Sequence, residues 1–194
     1  MIALDLHMSS FLVLYFCLTL IEVLLWRKRK KKNISFGGLM IISLYVLILF
    51  KLTICPIVII KGQNRQMFMD AMGNQLQHLQ LIPFRTIMST IFKTSGLFQI
   101  VGNIFLLFPI PILCSLIGKV KDMRKWCIIG GGVSLCIEIV QLMINKIFMY
   151  PSHVADIDDL ILNLSGVFLG ALLSAFFYDK AVFAKVKSYM VVTK

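Results

Sequence analysis

The sequence predicts an all-α integral membrane protein, a bundle of five transmembrane helices with the N-terminus outside and the C-terminus cytoplasmic. An interfacial or re-entrant external segment is expected before the third span. Three observations carry this. Of the 194 residues 59% are hydrophobic and only 15% charged, the reverse of a water-soluble balance. Five apolar runs approach the roughly 20 residues that a helix needs to cross a hydrocarbon layer of about 30 Å. Basic residues crowd into alternate connections between those runs. A formal net charge of +11 would suit nucleic acid, but a mean hydropathy of +0.88 makes hydrocarbon the main solvent. Membrane lipids are therefore the expected partners, and nucleic acid is not.

The first span, residues 9–26, has no basic segment before it. It is followed at once by Arg27-Lys28-Arg29-Lys30-Lys31-Lys32, which reads as an uncleaved span with a topology signal. The second, residues 37–60, is interrupted only by Lys51 and Pro56. Residues 61–96 form the longest connection and contain no run long enough to cross. Within it, residues 75–87 mix apolar and polar side chains as an interfacial stretch does. The third span, residues 97–117, should bend at Pro109 and Pro111. The fourth, residues 126–147, carries Glu138, Gln141 and Asn145. The fifth, residues 160–178, repeats Gly166, Gly170 and Ser174 every four residues, a smooth face for close helix packing. No composition shift marks a second unit, so residues 1–194 read as one membrane domain.

Placing residues 27–32 in the cytoplasm also places Lys119, Lys121, Arg124, Lys125, Lys180, Lys185, Lys187 and Lys194 there. The opposite side keeps only Lys61, Arg65, Arg85, Lys93 and Lys146. This asymmetry sets the expected orientation.

Polar groups inside a span cost roughly 2.5–3.5 kcal/mol each, so they face the interior, pair, or act. At 1.5 Å per residue, Lys51, Asn103, Glu138, Gln141 and Asn163 fall in the outer half of the bilayer, with Asp156, Asp158 and Asp159 just above the fifth span. Such a set would enclose an outward polar cleft. Arg85 or Lys51 would suit phosphate, the carboxylates would suit hydroxyls or ammonium groups, and the three aspartates would suit a divalent cation. The competing reading is an internal Lys51–Glu138 ion pair, amide hydrogen bonds between helices, and aspartates capping the fifth helix.

No G-x-S-x-G, H-E-x-x-H, Walker or EF-hand sequence is present, so no catalytic template, resident metal or cofactor is expected. Glu138 with Asp158 or Asp159 leaves acid–base or metal-assisted chemistry open as an alternative. Cys17, Cys55, Cys114, Cys127 and Cys136 lie in apolar stretches without C-x-x-C spacing, which predicts free, buried thiols.

Four successive motifs carry a resemblance. They are Leu81-Ile82-Pro83-Phe84-Arg85-Thr86-Ile87, Gly102-Asn103-Ile104-Phe105-Leu106-Leu107-Phe108-Pro109, Ile137-Glu138-Ile139-Val140-Gln141, and Asp156-Ile157-Asp158-Asp159-Leu160-Ile161-Leu162-Asn163-Leu164-Ser165-Gly166. In order and spacing the chain resembles the VanZ-like family, over a core of about residues 37–178 and most strongly over 81–173. The resemblance implies a multi-pass protein of the bacterial plasma membrane, in a family named for a member linked to teicoplanin resistance without altered peptidoglycan precursors. It brings no agreed reaction. It implies functional roles for Pro83, Phe84, Arg85, Asn103, Glu138, Gln141, Asp156, Asp158, Asp159 and Asn163, and a glycopeptide antibiotic or lipid-linked envelope precursor as partner. Two departures stand out. Residues 149–155 lack an arginine before the aspartates, with His153 a partial substitute, and Pro109 is followed by Ile110-Pro111 where the family often has Leu-Gly.

Overall fold

A computed structural model describes residues 2–4, 7–28, 34–55, 57–59, 79–117, 122–148 and 154–192. Five helical stretches are long and apolar enough to cross a membrane: Met8–Lys28, Phe36–Ile54, Thr94–Ile117, Arg124–Phe148 and Ile157–Phe177. Their outer faces carry large apolar side chains such as Phe16, Phe105, Ile128 and Phe176, which water would not tolerate in such density and lipid does.

Helix α1 (Met8–Lys28) packs on α2 (Phe36–Ile54), and Phe11 is its one buried residue among those described. Tyr15 Oη donates to the Met40 carbonyl at 3.1 Å, and the Trp26 indole N–H donates to Ile34 at 3.0 Å. Ser35 caps α2 by accepting from the Gly38 N–H at 3.0 Å. The apolar run continues to Ile60, but α2 stops at Ile54. Pro56 forces Cys55 into an extended conformation (φ −93°, ψ 148°) and has no N–H to extend the ladder. Beyond it, β2 (Ile57–Ile59) pairs antiparallel with β1 (Ile2–Leu4), Ala3 opposite Val58.

Strand β3 (Leu79–Gln80) leads through Pro83-Phe84 into the short helix α3 (Arg85–Thr90). The third span then divides into α4 (Thr94–Leu107) and α5 (Pro109–Ile117), interrupted at Phe108 as the prolines predict. After α6 (Met123–Phe148), β4 (Ala155–Asp156) runs parallel to β3 and feeds α7 (Ile157–Phe177). Helix α8 (Ala181–Met190) follows. Its end is clamped to the start of α2 by the Ser35 N–H, which donates to Met190 at 2.9 Å.

Helix α7 is the centre, packing on α4, α5 and α6. The Gly166 and Gly170 positions explain this: a Cβ on either would strike the carbonyl oxygen of Ile104 or Phe108. The helices therefore approach backbone to backbone, as a small-residue face permits. Leu107, Trp126, Val167 and Ala171 form one buried cluster, and Leu116, Phe183 and Met190 a second. All five cysteines are free but not buried as expected, because Cys17, Cys127 and Cys136 lie exposed on outer helix faces. An apolar sequence context in a bundle of this kind marks lipid as often as interior.

Candidate functional site

The C-terminal end of α2, residues 99–106 of α4, the second half of α6 and the start of α7 meet at the end of the bundle that carries α3. They enclose a cavity of about 200 Å³. Thr53 faces it from α2, Gln99 and Asn103 from α4, Glu138 and Gln141 from α6, and Asp159 and Asn163 from α7. Helices α4, α6 and α7 each contribute two polar groups at one-turn spacing: 99 and 103, 138 and 141, 159 and 163 share faces at i, i+3 or i, i+4.

Fixed hydrogen bonds hold these side chains. Asp159 Oδ1 accepts from Asn103 Nδ2. Glu138 Oε2 accepts from the Asp156 backbone N–H at 3.0 Å. Gln141 Nε2 donates to the Thr53 carbonyl at 2.8 Å, one of the carbonyls left unpaired where α2 ends. Asn163 Nδ2 donates to Ser134 Oγ at 2.9 Å. The amide nitrogens are thus engaged. Their oxygens, Gln141 Oε1 and Asn163 Oδ1, are buried without a hydrogen-bond partner among the described residues.

The remaining predicted site residues go elsewhere. Asp158 is 0% exposed and accepts from the backbone N–H groups of Phe84, Thr86 (2.8 Å) and Ile87 (3.1 Å). It caps α3 from a distance, because α3 has no side-chain cap of its own. Phe84 adopts a left-handed conformation (φ 65°) that turns its N–H toward this carboxylate. Holding a non-glycine residue there costs of order 1–3 kcal/mol, which the three charge-assisted bonds offset. Asp156 caps α7 by accepting from the Asp158 N–H at 2.9 Å, and it accepts also from Gln80 Nε2 at 3.1 Å and from Thr86 Oγ1.

The three aspartates therefore do not converge on one point. No group of three or more His, Cys, Asp or Glu side chains among the described residues is placed to hold a metal. Arg85 is exposed at the head of α3 and does not line the cavity. Lys51 sits over the ring of Phe11 at 5.5 Å, on the α1 side of α2; it does not line the cavity and makes no ion pair with Glu138. His153 lies outside the described residues. Sequence reasoning missed Gln99, Thr53 and Ser134. Gln99 precedes Asn103 by four, and Ser134 precedes Glu138 by four, so helical spacing could have found both.

A family model described as VanZ/LLP1 matches residues 38–178. The chain belongs to the VanZ/LLP1 family. No curated protein and no solved structure matches it. The matched segment runs from the first turns of α2 to the end of α7, so every residue lining the cavity lies within the VanZ/LLP1 region while α1 and α8 lie outside it.

Proposed function

We propose that this VanZ/LLP1 protein is a multi-pass protein of the bacterial plasma membrane whose cavity opens toward the outside and binds an envelope ligand, contributing to teicoplanin-type glycopeptide resistance. The orientation rests on the basic residues of the sequence at 27–32, 119–125 and 180–194; among the described ones, Arg124 and Lys125 start α6 and Lys180 follows α7, at the ends of those helices away from the cavity. The observation that supports the binding role is that the carboxyl groups of Glu138 and Asp159 line one cavity together with Gln141 and Asn163, whose amide oxygens are buried without a hydrogen-bond partner among the described residues. A buried acceptor without a donor costs about 1–3 kcal/mol, and a ligand bearing donors relieves it. Expression in a teicoplanin-sensitive Gram-positive host tests the reading. The chain raises the inhibitory concentration, Glu138→Ala and Asp159→Ala lose the effect, and Arg85→Ala keeps it. No protection by the unsubstituted chain contradicts the resistance role.

A second reading is an enzyme acting on a lipid-linked envelope substrate. It is favoured by two carboxylates from different helices facing one cavity, an arrangement that suits acid–base work. Its pair is Glu138 with Asp159, since Asp158 is committed to α3. Mass spectrometry of envelope lipids from cells with and without the chain separates the two: an enzyme changes a molecule, whereas a binder leaves the pool as it was.

A further inference from the structure

The cavity is lined by two carboxyl groups and by amides that each donate a hydrogen bond within the protein. Asn163 Nδ2, Gln141 Nε2 and Asn103 Nδ2 donate to Ser134, the Thr53 carbonyl and Asp159. The carboxyl groups of Glu138 and Asp159 line the cavity, and beside them the amide oxygens of Gln141 and Asn163 are buried without a hydrogen-bond partner among the described residues. Asn163 is 1% exposed, so water has little access to its oxygen. Among the described residues no lysine or arginine lines this space. Two carboxylates within a membrane-spanning bundle need a positive or multiply donating partner.

The way in is lateral. The exposed members of the lining are Leu52 on α2 and Gln99 and Gly102 on α4, so the cavity opens between these helices. Leu52 is 65% exposed, and a Cβ built on Gly102 meets no atom within 4 Å. Below the opening, Tyr45 Oη joins α2 to α4 through the Leu106 carbonyl at 2.8 Å and closes the gap. A gap between two spanning helices faces lipid, and the apolar side chains of Leu52, Leu106 and Ile137 at its edge suit methylene groups.

We propose that the cavity takes the primary ammonium of an amine-headed lipid, which enters sideways between α2 and α4. This deepens the envelope-ligand reading and rests on it. Its positive charge and its three N–H donors suit a space lined by the carboxyl groups of Glu138 and Asp159. A quaternary ammonium has the charge without the donors, and a phosphate alone would set acceptor against acceptor.

Purified full-length protein is exposed to phosphatidylethanolamine, phosphatidylcholine and phosphatidylglycerol of the same acyl composition, and retained lipid is measured by native mass spectrometry. Phosphatidylethanolamine is retained about tenfold more than either of the others, and Glu138→Gln and Asp159→Asn each remove about that factor, the worth of one charge-assisted hydrogen bond. Glu138→Gln keeps an oxygen for the Asp156 N–H. Leu52→Trp, which narrows the opening and touches no polar group, lowers retention in the same direction. Preference for phosphatidylcholine, or equal retention by parent and variants, overturns the proposal. Preference for phosphatidylglycerol that the variants abolish overturns the ammonium while leaving an envelope ligand in place. Saturable Ca²⁺ or Mg²⁺ binding without lipid preference, abolished by Glu138→Gln, overturns it in favour of a metal ion. No lipid retention, together with teicoplanin protection that Glu138→Gln leaves intact, overturns both readings.

Discussion

At the residue scale, the three acids at the start of α7 differ in what their oxygens meet. Asp156 and Asp158 bind backbone and side-chain donors of the segment 80–87, whereas Asp159 turns into the cavity. Asp158→Ala strips three N–H groups of their acceptor and is expected to destabilise the fold by about 3 kcal/mol or more. Thermal unfolding of the detergent-solubilised protein measures this, and a melting temperature equal to that of the parent would exclude the capping role. Glu138→Gln, by contrast, should melt near the parent. The division among the acids was not legible in the sequence. Depth along a span follows from counting residues, but direction around the helix depends on which neighbours pack where. Lys51 and Thr53 sit at nearly the same depth and point about 160° apart at 3.6 residues per turn. Thr53 lines the cavity and Lys51 meets Phe11 on α1.

At the element scale, the glycines of the packed helices make opposite predictions. Gly166 touches the α4 backbone at Ile104, so Gly166→Ala forces α4 and α7 apart and should cost roughly 3 kcal/mol or prevent folding. Gly102→Ala meets open space and should stabilise α4 by about 0.5–1 kcal/mol through helix propensity. Unfolding of both variants in the same detergent checks the pair, and equal effects would contradict the packing described. The repeat of Gly166, Gly170 and Ser174 made the smooth face of α7 readable in advance. That Gly102 lacks a neighbour was not readable, because an isolated glycine looks the same in sequence whether a backbone or a gap lies beside it. The end of α2 was legible at Pro56, yet hydropathy alone carries the run to Ile60, since isoleucine suits a strand as well as a helix.

On the scale of the whole molecule, five apolar helices and the VanZ/LLP1 match place most of the chain in a known family. The cavity gathers at one end because successive spans alternate in direction. The C-terminal halves of α2 and α6 therefore meet α4, the first part of the third span, and the N-terminal half of α7. Helix α1 stands outside both the matched region and the cavity lining and packs on α2. Our account accordingly assigns α1 to orientation, through Arg27 and the basic residues after it, and assigns the ligand to α2, α4, α6 and α7.

Cysteine accessibility in intact cells tests the outward cleft most directly. With the five native cysteines replaced by serine, a cysteine at Gln99 and another at Lys180 are treated with a membrane-impermeant thiol reagent. The account predicts labelling at position 99, slowed by the ligand, and none at position 180 until the cells are opened. Labelling at 180 with protection at 99 would put the cavity on the cytoplasmic side and contradict the account.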